Sequence, residues 1–183
     1  MGTASALVRR SVWQGLVGGL TGAAAMTLGE KVEQRLSGRP SSYVPGLTLA
    51  RLTGASDETG ESSPALNLTM HYGQAALLGV VRSLMSQVGL RGPLASAKFS
   101  VLRLTNDQIL ENATGVGAPP QTWPRSELVV DVVHKALYGF VTGLVTDALA
   151  ARNGPGPGQV HAGERPGRVS GVGPVPRGAA YTR

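Results

Sequence analysis

Cysteine is absent from the 183 residues, which excludes disulfides, thiolate metal sites and cysteine nucleophiles. Aromatic residues make up only 4%, too few for the large core of an ordinary aqueous domain. Charged residues are also sparse, at 15%, which excludes a highly charged disordered protein. A mean hydropathy of +0.03 marks the chain as neither plainly soluble nor plainly membrane-embedded, so the average must combine unlike segments.

What the chain does have is glycine (26), proline (12) and a net charge of +6, all unevenly placed. Residues 152–183 carry Arg152, Arg165, Arg168, Arg177 and Arg183 against Glu164 alone, a net of +4. This stretch also holds eight glycines and five prolines and shows no apolar periodicity. Such a segment cannot offset the entropy of ordering by burial. The expected organisation is a helical membrane domain over 1–151 and a disordered Gly/Pro/Arg-rich tail over 152–183. The arginines are spread more thinly than in nucleic-acid-binding runs, which argues against nucleic acid as a partner and for a marker of membrane topology.

Residues 11–29 form 19 consecutive positions without Lys, Arg, Asp or Glu. At ~1.5 Å per residue this is ~28 Å of helix, about a bilayer core. Gly15, Gly18, Gly19 and Gly22 make two overlapping GxxxG pairs. In water each helical glycine costs ~1 kcal/mol against alanine, whereas in lipid that spacing lets helices approach closely. A second helix is expected from about Leu66 to Leu90, with His71, Ala75, Gly79 and Ser83 recurring every fourth residue and Arg82 inside. A third, over 128–151, repeats Asp131, Lys135, Gly139, Gly143 and Asp147 at the same spacing. Helix packing is therefore assigned to Gly15, Gly18, Gly19, Gly22, Gly79, Gly139 and Gly143. The reading is an all-α polytopic membrane bundle of three or four helices.

Residues 94–112 differ, because Arg103, Asp107 and Glu111 form a charged row at i+4 spacing. In a membrane protein the row must face a partner helix, a wet cavity or the interface; in a soluble protein it is an ordinary surface. The alternative reading is accordingly a soluble or peripheral helical protein that binds a partner or an anionic lipid surface. Arg9-Arg10 followed by an apolar run and Ala23-Ala24-Ala25 also fits a twin-arginine secretion signal, although the helical pattern continues into Glu30–Glu33. Basic residues at both ends of the membrane domain favour cytoplasmic termini.

No phosphate loop, dinucleotide fingerprint, HExxH, GxSxG or EF-hand pattern occurs. Neither a catalytic residue, a metal site nor a cofactor is assigned, and no enzyme is expected. The residues with chemical potential are a polar intramembrane cluster of His71, Arg82, Asp107, Glu111, Asp131 and His134, since ionisable groups within spans are costly and tend to be functional. The bland alternative for Arg82 is a partner such as Asp107 or Glu111, or snorkelling, and for the histidines a hydrogen bond between helices.

The combination of Gly15, Gly18, Gly22, Met26 and Glu30 on the first helix, His71, Gly73 and Gly79 on the second, and His134, Tyr138 and Gly143 on the last resembles the YagU-like group. Those are small multi-span bacterial inner-membrane proteins of unknown function. The resemblance covers 11–151, leaves out the tail, and departs from a simple span at 94–112. It implies a polytopic fold in the inner membrane and brings no enzymatic activity. An accessory or transport-related role is expected, with membrane lipid and a second copy or another membrane protein as partners.

Overall fold

The computed structural model describes residues 2–55 and 63–164, and every regular element among them is helical. The first, α1, runs unbroken over Gly2–Ser37, because no proline interrupts the chain before Pro40. It therefore extends well beyond the 11–29 stretch at both ends. Proline opens or enters the next three helices, where its missing N–H costs nothing: α2 (Val44–Thr53), α3 (Pro64–Val88) and α4 (Pro93–Ala113). The α2 helix lies between the first and second helices expected from the sequence, where none is assigned. Pro45 and Gly46 stand at its start, and Asn67 holds it to α3 by accepting from the Gly46 N–H at 2.9 Å. Ser63 caps α3 by accepting from Ala65 N at 3.2 Å. Gly89 ends it at φ 102, in the left-handed region that a glycine occupies freely.

After a short 3-10 turn at Pro120–Thr122 comes α5 (Arg125–Ala151), and then α6 (Pro157–Glu164). Residues 157–164 are thus helical where the composition points to disorder. Gly156 fits directly against the end of α3, where a Cβ would lie 2.5 Å from Gly89 N and 2.6 Å from Gln87 O. Glycine-rich composition reads as disorder until such a close approach is known. The rest of the expected tail, 165–183, lies outside the described residues.

The four long helices run alternately up and down. Gly15 and Gly19 of α1 meet Val80 and Ala75 of α3, while Gly18 and Gly22 meet Thr146 and Tyr138 of α5, so α1 is antiparallel to both. Gly139 and Gly143 of α5 meet Ser100 and Ser96 of α4, again antiparallel. The start of α1 and the end of α5 consequently lie at the same end of the bundle.

The interior is inverted relative to an aqueous domain. Among the described residues eight hydrophobic side chains are buried against fourteen polar or charged ones, and the apolar core cluster is only Ala23, Met26, Ala75, Phe99 and Tyr138. Leu77, Leu94 and Leu144 are each at least 70% exposed, while Arg82 is fully buried. By length and composition α5 is the one described helix able to cross a membrane.

Candidate functional site

A cleft of about 410 Å³ opens at the end of the bundle opposite the start of α1 and the end of α5. It forms where the C-terminal halves of α1 and α4 meet the N-terminal halves of α3 and α5, with Thr48 of α2 along one side. The charged row of α4 turns inward here: Arg103 and Asp107 are 3% and 6% exposed. The i+4 spacing puts them on one helix face, and small neighbours let α5 come close enough to cover that face.

Asp107 is the hub of the inner wall. Its carboxylate accepts from Gln74 Nε2 at 2.7 Å and Arg103 Nε at 3.1 Å, and lies 3.3 Å from Lys135 Nζ. Lys135 also pairs with Asp131 one turn away on α5. Two cations and two carboxylates therefore neutralise each other within the protein, which limits the cost of taking them from water. The Arg103 guanidinium lies over the Tyr138 ring, 5.1 Å from its centroid, and Tyr138 Oη donates to Ala75 O at 2.7 Å. Deeper polar groups are thus pinned by aromatic packing.

At the mouth, beyond the uncharged 11–29 stretch, Arg39 pairs with Glu33 at 2.9 Å and approaches Glu127 at 3.9 Å. Hydrogen bonds from Arg39 and then Ser37 hold the Glu33 carboxyl below its ordinary range, and the Glu33 hydrogen bond raises Arg39 in turn. Glu30 and Glu111 also line the cleft, and among the described residues neither forms an ion pair.

Of the six residues assigned to a polar cluster, His71, Asp107, Glu111 and Asp131 line this cleft. His71 Nε2 lies 3.0 Å from Thr27 Oγ1, joining α3 to α1. His134 does not line it; the imidazole sits on the α1-facing side of α5, near Gly29.

Arg82 belongs to a second, separate centre near the other end. Its partner is Asp147 rather than Asp107 or Glu111, because α4 is antiparallel to α3 and carries those acids away from Arg82, whereas α5 brings Asp147 to it. The pair is bidentate at 2.9 Å through both terminal nitrogens, with Ser86 Oγ at 2.6 Å and Ser96 Oγ at 3.2 Å. Asp147 accepts further from Ser86 Oγ at 2.6 Å and Gly92 N at 2.8 Å. This centre staples α3, α4 and α5 together. Sequence reasoning left out Gln74, Arg103 and Lys135 as site residues and Asp147 as a partner. The signal for Asp147 and Lys135 was their place on the glycine stripe of α5; nothing local pointed to Gln74.

No three His, Asp or Glu side chains among the described residues converge to hold a metal ion. No family model, curated protein or solved structure matches the chain.

Proposed function

We propose that the chain is an integral membrane protein of the bacterial inner membrane, with four crossing helices, cytoplasmic termini and an accessory role in moving a small polar solute. The observation that carries this reading is the inverted packing: polar and charged groups inside, leucine and valine outside. In water such an exterior costs free energy and drives aggregation; against lipid tails it is the favourable arrangement. By composition α1, α3 and α4 fall short of a span because glycine, serine and charge dilute them. Many of the diluting residues face inward, among them Gly15, Gly19, Gly79, Ser83, Ser96, Ser100, Arg82, Arg103 and Asp107, while Lys98 and Thr105 of α4 and Thr21 of α1 are exposed beside the outward leucines and valines. The polar cleft, open at one end, supplies a place for a solute, and the YagU-like resemblance supports the same cellular location.

The soluble or peripheral reading draws on the charged row of α4, but Arg103 and Asp107 lie inside the bundle and give water no polar surface there. Carbonate washing tests the proposal. The full chain is expected to stay in the membrane pellet, and its release into the supernatant would overturn the reading.

A further inference from the structure

Each of the two buried arginines leaves one nitrogen without a partner, Nε in Arg82 and Nη1 in Arg103, but their remaining donors are used very differently. Arg82 uses both terminal nitrogens on Asp147 and two serines. Arg103, 3% exposed and lining the cleft, has one hydrogen bond, from Nε to Asp107, and its Nη1 has no partner. A guanidinium offers five N–H donors, and each buried donor left unmade carries an uncompensated desolvation cost. The Thr48 hydroxyl, 2% exposed on the cleft wall, is also unpartnered. These groups lack an acceptor that the protein does not provide. Toward the mouth the situation is reversed, since the carboxylates of Glu30 and Glu111 have no cation paired with them.

We propose that the cleft binds a small zwitterion, with its carboxylate on Arg103 and its ammonium on Glu30 and Glu111. An anion alone meets the acids of the mouth, and a cation alone leaves Arg103 unsatisfied; a compound carrying both charges answers each. Arg103 and Glu111 are eight residues apart on α4, about 12 Å along the axis at ~1.5 Å per residue. Side chains leaning toward one another shorten that span without closing it. The ligand class is therefore one whose two charges are several bonds apart, such as a dipeptide or an ω-amino acid. A volume of about 410 Å³ falls in the ~300–1,000 Å³ range of small-molecule pockets.

This inference rests on the reading of the cleft as a solute site, but its test is independent of the membrane test. The full chain, purified from whichever fraction holds it, is titrated by calorimetry with glycylglycine and 6-aminohexanoate, and with propylamine and propionate as single-charge controls. Saturable binding of the zwitterions at least tenfold tighter than either control is expected. Arg103→Gln and Glu111→Gln are each expected to weaken it at least tenfold. Absence of saturable zwitterion binding by folded protein, equal binding of propylamine, or an unaffected Glu111→Gln variant would overturn the proposal. Arg103→Lys keeps a buried cation and serves where Arg103→Gln fails to fold; it too must weaken binding, because an ammonium cannot reproduce the planar fork. A chain that stays in the carbonate-washed membrane and binds no zwitterion loses this inference alone, whereas a soluble chain that binds loses only the membrane reading.

Discussion

At the residue scale, burial of charge divides into what the bundle satisfies and what it leaves open. Arg82 and Asp147 are joined twice and surrounded by donors and acceptors from Ser86, Ser96 and the Gly92 backbone. Gly143 is part of the arrangement: a Cβ there would stand 3.0 Å from Arg82 Nη2 and 3.2 Å from Ser96 Cβ. Removing one partner leaves the other charge buried and unmatched, at a cost of about 3–5 kcal/mol. Asp147→Asn is therefore expected to lower stability by roughly that amount in denaturant unfolding of the purified chain. A double change of Arg82 to Met and Asp147 to Leu is expected to recover most of the loss, since no lone charge remains. A double variant as unstable as the single would show that the pair does more than neutralise itself.

At the scale of elements, the helices meet through glycine on two sides of α1. Gly15 and Gly19 serve α3, Gly18 and Gly22 serve α5, and the one-residue offset between the stripes turns them toward different neighbours. A Cβ at Gly79 would lie 2.7 Å from the Gly19 Cα, so there is backbone and not a flexible side chain in the way. Gly79→Val is expected to destabilise the bundle by about 1–3 kcal/mol or more through forced separation of α1 and α3. Gly73 is on the same helix and has nothing within 4 Å of a Cβ position. Gly73→Ala is accordingly expected to be neutral or to stabilise by up to about 1 kcal/mol through helix propensity. Thermal unfolding of the two variants side by side checks both signs; equal losses would mean that glycine content, not the α1–α3 approach, sets stability.

For the whole molecule, the alternating helix directions place Arg9, Arg10, Arg91 and Arg152 at one end of the bundle. The described residues at the other end mix Lys31, Arg35, Arg39, Arg51 and Arg125 with Glu30, Glu33 and Glu127. With the cytoplasmic termini proposed above, the first end is expected to face the cytoplasm and the cleft to open on the periplasmic side. Fluorescent fusions at both termini are expected to be active, and alkaline phosphatase inserted in the 114–119 connection is expected to be active as well. Phosphatase activity at the termini with none at 114–119 would invert the orientation; a single active terminus would rule out four crossings.

The amino-acid sequence by itself determined the helical class, the approximate limits of α3, α4 and α5 and the glycine positions at which the helices approach, but not the full length of α1. These follow from local rules, since proline, capping residues and four-residue spacing act within a turn or two of where they stand. The expected helices leave out α2, which Pro45 and Gly46 open, and the helical turn at 157–164 falls inside the stretch assigned to the tail. Tertiary structure alone decided the partners. Whether Arg82 met Asp107, Glu111 or Asp147 depended on which helices run antiparallel, and whether the row Arg103–Asp107–Glu111 faced water or the interior depended on α5 covering it. Charge pairing acts over a few ångströms in space with no preference for distance along the chain, so one sequence carried both outcomes until the helices were packed.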